Sequence, residues 1–184
     1  MVVITVISVF TGCKSELKEK NSTETTTEVQ AVENTNLNAD ISKTALLNNF
    51  IDSYLVLKNA LVNDSEKEAA EAAKLMIIAI DNFDKRLLTD AEKTLFLEIE
   101  GTSKEHAEHI VKSDLNHQRE HFQLLSEDLI ELVDILGTTK TFYSVYCPMY
   151  KKKGAFWLSE IQEIKNPYFG SKMLTCGEVK SQIN

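Results

Sequence analysis

The chain has 184 residues, a formal net charge of −8 at pH 7 and a hydrophobic fraction of 43%. This length and apolar content are enough for one domain with a sizeable core and additional tails. The acidic balance, with no basic stripe of interleaved aromatic residues, argues against electrostatic binding to nucleic acid or to an anionic membrane surface.

The first predicted element is an export signal over residues 1–12. Its apolar run is too short to span a bilayer and ends at Phe10-Thr11-Gly12-Cys13, which is typical of a signal peptide. Gly12 before Cys13 resembles the lipobox of bacterial lipoproteins, although Phe10 replaces the usual aliphatic residue and no basic leader precedes the run. We expect Cys13 to be lipidated and anchored in the cell envelope, facing the periplasm or in the outer membrane. The alternative is an ordinary N-terminus with a free thiol.

The second predicted element is a tether over residues 13–39. Residues 14–39 are rich in Thr, Glu, Lys and Asn and show no apolar periodicity. Such a segment buries too little apolar surface to offset its ordering entropy, so we predict a disordered linker. A single folded domain then occupies residues 40–184.

Four helices are predicted in the first part of this domain, residues 40–137, because apolar residues recur there at helical spacing. The first three span residues 40–62, 65–83 and 90–112, and the fourth ends at Gly137. Gly101 is a candidate break in the third helix. Since the connections are short, we predict a mainly-α fold built on an up-and-down four-helix bundle.

Capping residues support these boundaries. Ser65 precedes the second helix, and Thr89 with Glu92 forms the pattern of a capping box at the start of the third. Ser113 or Asp114 is placed to cap the fourth helix.

Residues 138–184 have a different character and are predicted to form a loop-rich cap with one to three short β-strands. Residues 140–147, KTFYSVYC, alternate in the manner of a strand, and Gly154, Pro167, Gly170 and Gly177 lie at turn-like positions. The segment is too short for a core of its own, so we expect it to pack on the helices.

This cap contains two sulfur pairs, Cys147 with Met149 and Met173 with Cys176. Thiolates and thioethers are soft ligands that suit Cu(I) or Ag(I), and zinc gains little from a thioether. Alternatively, the two cysteines form a disulfide, which in the chain-entropy model stabilises by about 3–4 kcal/mol. Methionines taken alone are more often core filler, but these two lie close to the two cysteines, whereas the helices contain only Met76.

Aromatic residues of the cap have two interpretations as well. Trp157 and Tyr168 are candidates to shield a bound soft cation. A lone tryptophan is more often a core residue, and here it would anchor the cap on the helices.

All four histidines fall between residues 106 and 121. The spacings of His106 with His109 and of His117 with His121 put each pair on one helix face. Most histidines at such spacing are solvated, and His106 and His109 are predicted to be exposed. His121 is the one we expect to join the sulfur ligands, because it precedes an apolar residue predicted to be buried.

No enzymatic pattern is present: the sequence has no glycine-rich phosphate loop and no nucleophile elbow. Glu105 and Glu108 near His109 partly resemble the ligands of di-iron bundles, but the partner motifs on other helices are missing. We therefore predict a non-catalytic protein.

The motifs of the cap resemble one family, the Bacteroidetes domain of unknown function 3347. They are Cys147-Pro148-Met149, residues 154–159 (GAFWLS), residues 166–170 (NPYFG) and residues 173–177 (MLTCG). Upstream, Arg119, Phe122 and Leu125-Ser126 resemble the family's R..F..LS helix. The resemblance extends over roughly residues 45–180.

This resemblance implies copper handling, because similar domains are fused to periplasmic adaptors of heavy-metal efflux systems. Carried over by position, the ligands are Cys147, Met149, Met173 and Cys176. Tyr150 departs from the pattern, since a small residue commonly follows the CPM element, and a bulky ring there affects access to the site.

Two functions follow. The first is an exported, lipid-anchored protein that binds Cu(I) or Ag(I), with zinc as a further candidate, and buffers the metal or passes it to an efflux adaptor. The second is a structural or protein-interaction module with a Cys147–Cys176 disulfide.

Overall fold

A computed structural model describes the backbone of residues 24–184 and the side chains from residue 42 onward. Over these residues the protein consists of four α-helices and a small β-sheet. The elements are α1 (Glu24–Val62), α2 (Glu66–Asp81), α3 (Asp90–Lys112), α4 (Leu115–Leu136), β1 (Phe142–Cys147), β2 (Ala155–Ser159) and β3 (Glu178–Ile183). The predicted mainly-α fold with a strand-containing C-terminal cap is confirmed. Within the described residues, no helix is both long and apolar enough to cross a bilayer.

The N-terminal end of α1 differs from the sequence-based boundary. The predicted first helix starts at residue 40, whereas α1 begins at Glu24 and includes residues 24–39 of the predicted linker. Residues 24–62 contain no glycine or proline, so nothing in the local sequence interrupts the backbone hydrogen bonds of a helix, even where no apolar face is present. The predicted signal peptide, Cys13 and the rest of the linker lie outside the described residues.

Side-chain caps set the other helix boundaries as predicted. The Ser65 hydroxyl accepts a hydrogen bond from the amide of residue 68, and Thr89 with Glu92 forms a complete capping box. Asp114, rather than Ser113, caps α4. The predicted break at Gly101 is wrong, because α3 is continuous through this residue. A Cβ at Gly101 would meet nothing within 4 Å, so the glycine lies in open space.

A buried tyrosine joins the helices to the cap. The ring of Tyr54 on α1 stacks on Phe122 of α4 with ring centroids 5.0 Å apart. Its hydroxyl lies 2.7 Å from the Ser126 hydroxyl and accepts a hydrogen bond of 3.1 Å from the Leu158 amide on β2. Burial raises the pKa of Tyr54 well above its ordinary value. The hydroxyl therefore stays protonated and both of its hydrogen-bonding directions are used.

The three strands form an antiparallel sheet in the order β2-β1-β3. β2 packs on α4, and Trp157 of β2 is 1% exposed. The prediction that the cap packs on the helices is therefore confirmed, and so is the interpretation of Trp157 as a core residue.

Arg119 on α4 makes a second connection between the helices and the cap. Its guanidinium donates to the carbonyl of Pro167 (2.9 Å), to the carbonyl of Leu61 (2.9 Å) and to the carboxylate of Asp64 (2.5 Å). Gly170 lies against this ion pair with φ +54, and a Cβ there would come within 2.1 Å of the Asp64 carboxylate. The NPYFG turn therefore requires glycine at this position.

Candidate functional site

Two cysteines predicted as ligands meet in the cap. Cys147 ends β1 and Cys176 lies in the loop before β3, and their sulfur atoms are 3.2 Å apart with both thiols free. Cys147 is fully buried and Cys176 is half-buried. The pair is thus open to solvent from the Cys176 side only.

Asn166 holds the loop that carries Cys176. Its side-chain amide donates to the carbonyl of Cys176 (2.6 Å), while its side-chain oxygen accepts from the amides of Tyr168 (2.8 Å) and Phe169 (3.1 Å). On the other side of Cys176, Gly177 has φ +148. Asn166 is fully buried. One side chain therefore fixes both the NPYFG turn and the position of the half-buried thiol.

The Cys176 thiol is kept protonated in the absence of a ligand. Burial raises its pKa, and the adjacent sulfur of Cys147 raises it further, whereas a backbone hydrogen bond from Met149 opposes the shift. A thiol of this kind is less reactive toward oxidants and alkylating agents than an exposed cysteine. A bound cation would reverse the preference, since metals bind the thiolate.

The two predicted methionine ligands remain at the surface beside this pair. Met149 is 60% exposed and Met173 is 37% exposed. The backbones of both methionines form hydrogen bonds with Cys176. The Met173 carbonyl accepts from the Cys176 amide at 3.0 Å, and the Met149 backbone forms a hydrogen bond with the Cys176 sulfur. The structure therefore brings the cysteines together and leaves both methionines partly exposed at the surface.

Aromatic rings of the cap form a packed layer. Tyr150 stacks on Tyr168 with ring centroids 4.3 Å apart, and Trp157 meets the Tyr168 ring edge-on at 5.9 Å. The Tyr168 hydroxyl donates to the Phe156 carbonyl, so Tyr168 is a structural residue. Tyr150, the departure from the family pattern, is 8% exposed and its ring is part of this layer.

All four histidines converge at the closed end of the α3–α4 hairpin, and their spacing within each helix did not predict this cluster. His106 Nδ1 lies 3.1 Å from His121 Nδ1, and His121 Nε2 lies 3.1 Å from His117 Nε2. The ring of His109 stacks on that of His121 with centroids 4.3 Å apart and an angle of 11°. One nitrogen from each of His109, His117 and His121 lies within 4.8 Å of the other two.

The placement of His121 and His106 differs from the sequence-based expectation. That expectation puts His121 near the sulfur ligands, but its ring contacts other histidines across the α3–α4 interface. His106 is half-buried in that interface rather than exposed, whereas His109 is exposed as predicted. Helix register explains both results: in an antiparallel hairpin that turns at residues 113–114, residues 106 and 121 are equally far from the turn and face each other.

Electrostatics in the histidine cluster favour the neutral form of His121. Burial lowers the pKa of His121 to about 4, and the neighbouring His109, His106 and His117 contribute to this shift. At neutral pH this imidazole is uncharged, so one of its two nitrogens carries a lone pair that is available to a ligand or to a hydrogen-bond donor.

A family model described as Protein of unknown function (DUF3347) matches residues 50–141 of the chain. The matched segment includes the histidine hairpin and ends before Cys147, so the sulfur residues lie outside it. Neither the curated proteins nor the solved structures contain a match to the chain.

Proposed function

The chain belongs to the family Protein of unknown function (DUF3347), and we propose that its domain is a non-catalytic metal-binding module that holds Cu(I), or Ag(I), between Cys147 and Cys176. The observation behind this proposal is the 3.2 Å contact between two free thiols, one buried and one half-buried. Two thiolates are a sufficient ligand set for a soft monovalent ion.

Access from one side suits exchange rather than permanent storage. Cys147 is anchored at the end of a central strand, whereas Cys176 lies in a loop that reaches the surface. Met149 and Met173 border the open side, and their unbranched side chains are flexible enough to turn a thioether toward a bound ion. They would then act as weak, labile ligands during transfer of the ion to or from a partner.

A cell-envelope location completes this proposal. The apolar run before Cys13 and its lipobox-like residues favour export and lipidation, and the resemblance of the cap to domains fused to efflux adaptors suggests such an adaptor as the partner. The protein would then buffer copper at the membrane or pass it to efflux.

The second candidate function is a structural or interaction module in which the same two cysteines are oxidised. The contact between the sulfur atoms favours this alternative as well, because a disulfide needs only a small further approach. A cell-envelope protein meets an oxidising compartment in which such a bond persists. The bond would fasten the loop before β3 to the central strand.

An anaerobic Cu(I) titration separates the two candidates. The reduced full-length chain carrying Cys13→Ser, in which the pair provides the only thiols, competes with a chromophoric Cu(I) chelator. We expect it to withdraw one equivalent of Cu(I), and we expect the further double substitution Cys147→Ser, Cys176→Ser to abolish this. The matched control, Met149→Leu with Met173→Leu, should retain binding with faster release.

No withdrawal by the chain with demonstrably free thiols would contradict the proposal. Thiol counting on the unreduced protein tests the alternative directly. A pair that is fully oxidised and resists mild reductant would establish the structural disulfide.

A further inference from the structure

We propose a second metal site at the closed end of the α3–α4 hairpin, where His109, His117 and His121 bind one divalent transition-metal ion of the Zn²⁺ class. This site does not depend on the thiol pair, because it uses nitrogen ligands from two helices and none of the residues of the cap. Three imidazoles leave one coordination position for water or another small ligand, as in the open three-histidine sites of zinc proteins.

Distances between the ligand nitrogens fit such an ion. Two nitrogens bound to one tetrahedral Zn²⁺ at about 2.0–2.1 Å lie roughly 3.3 Å apart. The Nε2 atoms of His117 and His121 are 3.1 Å apart, so both can bind with little movement of the rings. His109 is exposed and has a nitrogen within 4.8 Å of the other two ligand atoms; to bind the same ion, its ring would turn out of its stack on His121.

The outer hydrogen bonds are those that orient metal-binding histidines. Nδ1 of His117 lies 3.2 Å from the carboxylate of Glu120, the next turn of the same helix. Nδ1 of His121 lies 3.1 Å from Nδ1 of His106. A ligating histidine typically uses its second nitrogen in this way, bonded to a carboxylate or another acceptor. His117 therefore already has its acceptor, and the bond between His121 and His106 would supply one after its direction reverses.

The metal-free hydrogen bonds follow from Glu120, whose carboxylate can only accept. His117 must then hold its proton on Nδ1, which leaves its Nε2 as an acceptor for the Nε2 proton of His121. His121 Nδ1 in turn accepts from His106. A metal ion would replace the single proton between the two Nε2 atoms. The displaced proton would move from Nε2 to Nδ1 of His121. The proton of His106 would move from Nδ1 to Nε2 of the same ring, so no proton would be released overall.

Ligand chemistry separates this site from the thiol pair. Imidazole suits divalent Zn, Cu and Ni, while soft monovalent ions prefer sulfur. Because the ligands come from α3 and α4 on either side of the 113–114 turn, the ion would also fasten the two helices together. Metal binding should therefore raise the thermal stability of the folded protein.

Co²⁺ absorption is the direct test, since a cobalt ion bound by nitrogen gives visible ligand-field bands, whereas a thiolate ligand adds an intense near-ultraviolet charge-transfer band. The full-length chain carrying Cys13→Ser is titrated with Co²⁺ and back-titrated with Zn²⁺. We expect one equivalent of Co²⁺ with ligand-field bands only, displaced by Zn²⁺ and unaffected by the double substitution Cys147→Ser, Cys176→Ser.

Histidine variants locate the site. His109→Asn, at an exposed position that leaves folding intact, should abolish the bands and the rise in melting temperature on adding Zn²⁺. Glu120→Gln should weaken binding by about 10–100-fold while leaving the spectrum unchanged, as expected for an orienting residue. Absence of ligand-field bands, bands that persist in His109→Asn, or a charge-transfer band lost with the cysteines would each overturn the proposal. Loss of Cu(I) binding by the cysteine variant has no bearing on it.

Discussion

The α3–α4 hairpin and the C-terminal cap both bring potential ligands together, but they do so by different means. In the hairpin, the register of two adjacent helices around a short turn places His106 opposite His121. In the cap, Cys147 and Cys176 are 29 residues apart and meet only because a sheet, a buried asparagine and an aromatic layer position the loop between them. The histidine cluster therefore depends on local structure, and the thiol pair depends on tertiary packing. Damage to the packing of the cap should separate the thiols and spare the histidines.

The largest expected effect is that of Trp157→Ala. Trp157 lies in β2 of the cap and is 1% exposed, and truncation of a buried tryptophan costs about 3–5 kcal/mol in the free energy of unfolding. Urea unfolding measures this loss, and alkylation of Cys176 should become faster. The matched control is Phe156→Ala, the neighbouring residue at 38% exposure, with an expected loss of about 1 kcal/mol or less. Equal losses for the two variants would contradict the assignment of Trp157 to the core.

Arg119→Ala should have the next largest effect. It removes hydrogen bonds to the carbonyls of Pro167 and Leu61 and the ion pair with Asp64, and it leaves the buried Pro167 carbonyl without this donor. Because Asp64 is partly exposed, we expect a loss of about 3 kcal/mol, the lower end for a buried pair. Arg86→Ala removes an ion pair whose arginine is 89% exposed and should change stability by less than about 0.5 kcal/mol.

Asn166→Ala tests the positioning of the thiols more selectively. Its loss leaves the buried amide of Tyr168 and the partly buried amide of Phe169 without this acceptor, at a cost of about 1–3 kcal/mol. It also frees the Cys176 loop, so Cu(I) affinity should fall while Co²⁺ binding by the histidines does not. Asn116→Ala, at an exposed position on α4, is the control. Equal changes in Cu(I) and Co²⁺ binding would refute the distinction between the two proposed sites.

The helices and the capping residues at their N-termini were predictable because their causes are local. The Thr89–Glu92 capping box and the Ser65 cap each depend on residues within one turn, and both are confirmed. The beginning of α1 was not predictable in this way. Apolar periodicity indicates which face of a helix is buried, not whether a helix forms, and residues 24–39 have no such periodicity. The continuous helix at Gly101 shows that one exposed glycine costs too little to end a helix packed on both sides of it.

The two candidate sites also differ in how far local sequence patterns predict them. Sequence reasoning names Cys147 and Cys176 but leaves the pairing open, because the loop geometry set by Asn166 lies outside any local pattern. Spacing within each helix groups the histidines only as separate pairs, although the short turn at residues 113–114 contains the information that joins them. Because residues 106 and 121 are equally far from that turn, counting outward from it along both helices is enough to pair His106 with His121.

The smallest expected effect is the acid sensitivity of the connection between helices and cap. Hydrogen bonds from Ser171 and Arg119 lower the pKa of Asp64 from 3.8 to about 2. A carboxyl whose pKa is lower in the folded state stabilises the fold above its ordinary pKa, and this contribution is lost as the pH falls from about 4 to about 2.

Since Asp64 is 31% exposed, solvent screening reduces this contribution to about 1 kcal/mol. Urea midpoints measured at about pH 5 and about pH 2.5 should show it as a decrease that Asp64→Asn removes, while other carboxylates still titrate in both proteins. The same decrease in the variant would mean that acid weakens the protein elsewhere. A decrease specific to Asp64, together with faster alkylation of Cys176 in Asp64→Asn than in the unmodified protein at neutral pH, would show that this ion pair holds the NPYFG turn, and with it the thiol pair, against the helices.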